Sequence, residues 1–214
     1  PGRQESAPGR QESAPGTLES AVGRQESAVG RQGAYRPGVP SYRVRTAGID
    51  DAAAIAAVHI ASSDEAYAPL AAAAEWSRGN VEARTARWAA ILAKGSPERV
   101  MVAEDGTGLV IGFVGGGPAR RAEPGAEVEI YVIHVHPDHR GRAVGGALWD
   151  AACGELRGPS LLATYVDTLA ELRCCSFYAR RGGQVIERRA TDFHGAPRTQ
   201  VTYRWALGVA DTPA

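Results

Sequence analysis

Between Ile133 and Leu148 the chain reads Ile-His-Val-His-Pro-Asp-His-Arg-Gly-Arg-Ala-Val-Gly-Gly-Ala-Leu. A β-like run ends at His136-Pro137, a short turn follows, and helical periodicity begins near Ala143, with Val144, Leu148 and Ala151 on one face. Glycines at 141, 145 and 146 remove side chains where backbone comes close to something. A helix N-terminus with free N–H groups, beside Arg140 and Arg142, is a site for an anion such as a pyrophosphate. The dinucleotide spacing G-x-G-x-x-G is absent, and so is the Lys-Ser/Thr end of a P-loop.

The stretches around this turn alternate between strand and helix. Tyr42-Arg-Val-Arg-Thr-Ala47 reads as a short strand, and Asp50 and Asp51 are placed to cap a helix carrying Ile55, Val58 and His59. From Ser62 to Gly79 the chain is polar and irregular, apart from the alanines 71–74 and the aromatics Tyr67 and Trp76. Asn80 is placed to cap a second helix in which Arg84, Trp88, Ile91 and Leu92 share a face. Two β-like runs, 99–104 and 109–114, are joined by Asp105-Gly106-Thr107-Gly108, a hairpin signal. A Gly- and Pro-rich loop is expected over 115–125, leading to a strand over 127–135. Beyond the central helix, 161–166 reads as a strand, 169–181 as a helix, and 184–189 and 198–206 as two closing strands. Alternating strands and helices with a meander in the middle predict a single α/β or α+β domain.

The N-terminal forty residues have a different texture. PGRQESA starts at Pro1 and Pro8, PGTLESA at Pro15, VGRQESA at Val22 and VGRQGAY at Val29. A seven-residue period invites a coiled-coil reading, but Gly recurs in every unit and the apolar content is Ala, Val and one Leu. Too little apolar surface is available to offset chain entropy, so residues 1–40 are expected to be a disordered tail and linker. A docking role is the functional alternative for this tail.

Lys plus Arg number 24 and Asp plus Glu 24, so the basic excess usual in proteins that neutralise phosphate backbones is missing and nucleic acid is not the expected partner. No apolar run approaches the length of a membrane span, and no charged-then-apolar leader opens the sequence, so a cytoplasmic protein without a membrane partner is expected. The three cysteines, Cys153, Cys174 and Cys175, suit small buried thiols in a reducing compartment better than a disulfide framework or metal site.

The turn, in its context, resembles the GNAT superfamily of acyl-CoA-dependent N-acetyltransferases. The pattern V-H-P-x-H-R-G-R-x-x-G-x-A-L, preceded by an E-x-Y strand, is similar to that family's pyrophosphate loop. Arg99-Val-Met-Val-Ala-Glu-Asp-Gly resembles its second strand, and Phe177-Tyr-Ala-Arg-Arg-Gly182 its F-Y-x-x-x-G signature. The resemblance covers most of 42–207 and implies a mixed, mostly antiparallel central sheet flanked by helices over residues 41–208, with a short tail at 209–214. It implies acetyl-CoA as acyl donor and no metal. The backbone of Ile133, His134 and Val135 would face the pantetheine arm. Arg140, Gly141, Arg142, Ala143, Val144, Gly145 and Gly146 would surround the pyrophosphate, with Glu171 near the cofactor arm. Three positions depart from the family pattern: Ala143 stands where glycine is usual, Glu171 where many members carry asparagine, and Gly183 where an aromatic is usual, leaving a smaller core plug.

Moving an acyl group from a thioester to an amine requires a deprotonated amine, donors for the oxyanion and an acid for the departing thiolate. With a pKa near 10, only about one amine in a thousand is nucleophilic at neutral pH. Glu129, read as sharing a strand face with Tyr131, Ile133 and Val135, matches the family's frequent base position, with a paired edge residue as the alternative. Tyr178 matches the proton-donor position, with a core aromatic as the alternative. His134, His136 and His139 read as motif positions at a loop mouth rather than metal ligands. Tyr67 and Trp76 are candidates for an acceptor wall. The expected acceptor is a small-molecule amine or a peptide, and a homodimer stays open. A catalytically weak member that binds acyl-CoA as a sensor or interaction module is the competing expectation, motivated by Ala143 and Glu171.

Overall fold

In the computed structural model, which describes residues 42–71, 80–93, 95–123, 126–156 and 163–206, the alternating run at Tyr42–Thr46 forms β1. Asp51 takes the backbone N–H of Gly48 at 2.8 Å and ends a 3-10 turn, Ile49–Asp51, that leads into α1, Ala52–Tyr67. The Asn80 side chain accepts the Ala83 N–H at 2.7 Å and starts α2, Val81–Leu92, as its cap position predicts. The strands β2, Arg99–Asp105, β3, Val110–Glu123, and β4, Ala126–Val135, follow as a meander. Then come α3, Val144–Leu156, β5, Ala163–Leu169, α4, Cys174–Arg180, β6, Gln184–Phe193, and β7, Ala196–Ala206. The seven strands lie in the order β1-β2-β3-β4-β5-β7-β6, with β4 and β5 parallel and every other pair antiparallel. The repeats over 1–40, Trp76 and residues 209–214 lie outside the described residues.

Both faces of the sheet are covered. Phe113 and Val114, neighbours on β3, point to opposite sides as strand geometry requires. Phe113 packs with Ile55, Val58 and Trp88 of α1 and α2. Val114 packs with Val144, Leu148 and Trp149 of α3 and with Tyr178 of α4. The mixed, mostly antiparallel sheet flanked by helices is therefore the observed architecture.

Four local expectations are corrected. The stretch from Ser62, expected to be irregular, continues α1 to Tyr67 because its polar side chains meet partners across the domain: Ser62 bonds His134 and Glu65 pairs with Arg140. The expected helix over 169–181 begins only at Cys174, since the chain up to Leu169 is registered against β7. The two closing strands are longer than their patterns suggested and join at His194-Gly195, with φ of 49° and 73°, the left-handed pair that a tight hairpin turn uses.

The Gly- and Pro-rich stretch over 115–125 is the fourth correction, because β3 runs through it to Glu123. Gly115, Gly116 and Gly117 serve close packing rather than a turn. A β-carbon at Gly116 would sit 2.7 Å from the Glu129 carbonyl oxygen and 2.8 Å from Leu156 Cδ1. Gly116→Ala is therefore expected to destabilise the domain by about 1–3 kcal/mol, read as a lowered denaturation midpoint. An unchanged midpoint would mean that β3 moves away from α3 at little cost.

Candidate functional site

Parallel strands stay together only while their ladder continues, and here it is short. The registered pairs between β4 and β5 are Val128 with Thr164 and Glu129 with Tyr165. Past them β4 runs on to Val135 and β5 to Leu169, so the two strands part and one edge of β4 is left open. A cleft of about 1270 Å³ lies at the parting. Its walls are Ile133, His134 and Val135 of β4, Thr168 of β5, Phe177 and Tyr178 of α4, and Ser62, Glu65 and Tyr67 of α1.

The glycine-rich turn forms the mouth. Gly141 has φ of 75° and Ala143 of 62°, both in the left-handed region. The Ala147 N–H bonds the Ala143 carbonyl at 3.1 Å, the first bond of α3, which makes Ala143 its cap residue. A methyl group accepts no hydrogen bond, so Ala143 does not cap the helix, and among the described residues the N–H groups of Val144, Gly145 and Gly146 have neither an intrahelical partner nor a capping side chain. Gly141, Ala143, Val144, Gly145 and Gly146 all line the cleft, as does Arg140. A β-carbon at Gly141 would meet nothing within 4 Å. An open turn, uncapped donors and an adjacent guanidinium together fit an anionic group such as a diphosphate.

Comparison with known proteins agrees with this geometry. The model of the acetyltransferase (GNAT) family matches residues 60–183. The chain belongs to that family. Among solved structures, a GCN5-related N-acetyltransferase from Rhodopseudomonas palustris is 26% identical, covers 78% of this chain and 96% of its own, and has a TM-score of 0.56. A Salmonella typhimurium protein, solved with its cofactor acetyl-CoA, is 22% identical over 81% of this chain and 98% of its own, with a TM-score of 0.59. A ribosomal-protein-alanine N-acetyltransferase from Brucella melitensis is 19% identical over 77% of this chain and 99% of its own, with a TM-score of 0.60. No curated protein matches the chain.

Of the residues singled out from the GNAT pattern, Ile133, His134, Val135, Arg140, Gly141, Ala143, Val144, Gly145, Gly146, Glu171 and Tyr178 come together around the cleft. Arg142 is exposed and outside its lining. Tyr178 is 4% exposed and packs among Trp149, Phe177, Tyr203 and Trp205. Burial pushes its phenol well above the usual tyrosine range, so it carries its proton at neutral pH. The hydroxyl has no hydrogen-bond partner among the described residues. The smaller core plug expected at Gly183 is filled from elsewhere: a β-carbon there would lie 2.4 Å from Trp205 Cζ2. The Trp205 indole N–H donates to the Arg181 carbonyl at 2.9 Å.

Glu129 is placed differently from its sequence pattern. Ile130 opposes Gly116 and Val132 opposes Gly115, so Tyr131 is an extra residue, a β-bulge. The bulge breaks the alternation. Ile130, Ile133 and Val135 pack toward α3 and α4, and Glu129 faces the other way, which corrects the shared face expected for it. Its carboxylate is 2% exposed, accepts the Arg120 backbone N–H at 3.1 Å and pairs with the Arg120 guanidinium, which lies 4.3 Å over the Tyr131 ring. Glu129 does not line the cleft, whereas Tyr131 does.

Sequence reasoning missed the part α1 plays. Ser62 and Glu65, one helical turn apart, face β4 and the turn: Ser62 Oγ lies 2.7 Å from His134 Nδ1, and the Arg140 guanidinium meets Glu65 at 2.5 Å. That spacing is a helical signal, but the polarity of the segment hid it. The three cysteines are free thiols. Among the described residues there is no group of three or more metal-ligating side chains, and no helix is long and apolar enough to cross a membrane.

Relieving the left-handed backbone at Ala143 is worth about 1 kcal/mol, so Ala143→Gly is expected to raise the denaturation midpoint. A midpoint that stays or falls would show that Ala143 carries no strain in this turn.

His134 and His59 stack at 4.7 Å beside Phe113. Burial, then the charges of His59, Arg140 and Arg84, pushes His134 down to about 3. Burial, then Arg84 and Arg87, pushes His59 down to about 4. Trp88 Nε1 and Arg84 Nη1, both donors, face the two nitrogens of His59 at 3.3 Å, which also opposes its protonation. Both folded values lie below the ordinary 6.5, so the unfolded chain binds more protons below that pH and stability falls as pH drops. Unfolding free energy is expected to decline from about pH 6.5 to 4.5, above most carboxylate titration, and His59→Gln should flatten the decline. An unchanged slope in that variant would mean that His59 titrates in the folded domain as it does in the unfolded chain.

Proposed function

We propose that the chain is an acetyl-CoA-dependent N-acetyltransferase that acetylates a primary amine, on a small molecule or at a peptide or protein N-terminus. The observation that carries this reading is the parting of β4 from β5 with the uncapped N-terminus of α3 at its mouth. The open, left-handed glycine turn supports a diphosphate at the mouth, and the parting supports a thioester arm beside the open edge of β4. The Salmonella structure with acetyl-CoA and the Brucella enzyme's named activity support the donor and the reaction class. Nothing observed favours the weak-module alternative. Ala143 already holds the φ that glycine would supply.

In this mechanism the backbone of Ile133, His134 and Val135 aligns the thioester, and N–H groups on the open edge of β4 stabilise the developing oxyanion. The free amine attacks the carbonyl carbon, the C–S bond breaks, and the thiolate takes a proton from Tyr178, while the proton released by the attacking nitrogen passes to solvent, from which Tyr178 is reprotonated. Its place in the cleft lining and its protonated state at neutral pH support that role. For Glu129 a base role requires a bridging water and opening of its Arg120 pair, and the pair itself supports a structural part for this residue.

A thiol-release assay with acetyl-CoA over a panel of amines tests the proposal, and absence of turnover with every amine would sink it. In that assay Tyr178→Phe is expected to lower kcat by about a hundred- to ten-thousand-fold and to leave KM for acetyl-CoA nearly unchanged. Near-normal turnover in a folded Tyr178→Phe protein would make solvent the proton source.

A further inference from the structure

The acidic side chains that line the cleft, among the described residues, are Glu65 and Glu171. Glu171 lies in the turn between β5 and α4, and Glu65 on the opposite wall, on α1. Glu65 holds Arg140 Nη1 at 2.5 Å, while the same guanidinium reaches Ser62 Oγ through Nη2 and the Val135 carbonyl through Nε, both at 3.3 Å. Arg140 is the residue immediately before the glycine turn. Its guanidinium is thus turned toward α1 and bound to a carboxylate at the edge of a cradle built for an anion. One turn earlier on α1, Ser62 touches His134 of β4, so Glu65 stands beside the strand against which the acyl group is placed.

Resting on the N-acetyltransferase reading above, we propose that Glu65 is a placeholder and a specificity residue. It pairs with Arg140 before the donor binds, yields that guanidinium to the donor's diphosphate, and then receives the acceptor as its ammonium, which loses a proton to solvent before the free amine attacks. The exchange conserves charge pairing at each stage: carboxylate with guanidinium first, then phosphate with guanidinium and carboxylate with ammonium. The acceptors are then amines cationic at neutral pH rather than anilines or other uncharged nitrogens.

Glu65 is partly exposed, so Glu65→Gln is expected to leave the fold intact, checked by a melting curve. With CoA alone and no amine, Glu65→Gln should tighten binding by about two- to fivefold, the worth of a released surface pair. In an Arg140→Gln background, or in Arg140→Ala should that protein unfold, the same change should leave CoA affinity unaltered. Tightening that persists without the guanidinium, or no tightening in either background, would overturn the exchange. With acetyl-CoA saturating, Glu65→Gln should raise KM for an alkylammonium acceptor by about ten- to a hundredfold with kcat little changed. An unchanged KM would overturn the ammonium role. Absence of turnover with the unaltered protein would remove the enzyme reading and the ammonium role with it, while the CoA titrations would still decide the exchange.

Discussion

The parting of β4 and β5 is the constraint on which the rest of the site depends. Two parallel strands held by two registered residue pairs cannot remain side by side once their directions diverge, and every backbone group beyond the last pair must find another partner. On the β4 side those groups face an open slot. On the β5 side the chain turns away into α4 and brings Phe177 and Tyr178 over the same slot. The cleft is therefore a product of sheet geometry rather than of a special loop, and its two walls are carried by rigid elements. That arrangement suits a reaction needing an extended donor held along a strand edge.

Several departures from the family pattern are balanced in space. Gly183 would leave a hole if its neighbourhood kept the usual shape, but the Trp205 indole fills the volume and ties itself to the Arg181 carbonyl. Ala143 keeps the left-handed turn that glycine would adopt more cheaply, and the cost of a methyl there is about 1 kcal/mol. Because Ala143 offers no side-chain acceptor, it leaves the first N–H groups of α3 unclaimed. The residue that strains the turn also keeps its donors available.

Several charges at or near the cleft are held in ion pairs. Glu129 is satisfied by Arg120 on the neighbouring strand, Glu65 by Arg140, and Asp150 by Arg181. His59 and His134 are held neutral by burial and by the cations beside them.

The strand-turn-helix unit, the Asn80 cap, most strands of the sheet and the cleft residues from Ile133 to Gly146 were legible in the sequence, because each depends on local chemistry. Glycine permits left-handed backbone, a helix start exposes N–H groups, and alternation marks a strand. Tertiary structure alone decided where β4 leaves β5, since that depends on the direction of strands distant in sequence. It also decided the bulge at Tyr131, which turned Glu129 away from Ile133 and toward Arg120. It made Gly112 and Gly116 of β3 into packing residues against α3. And it made a helix of the polar segment after Ser62, whose side chains are stabilised by His134 and Arg140, partners more than seventy residues away. Local sequence specifies what a segment is able to form; which charged groups end up facing the cleft depends on pairings that exist only once the sheet has closed.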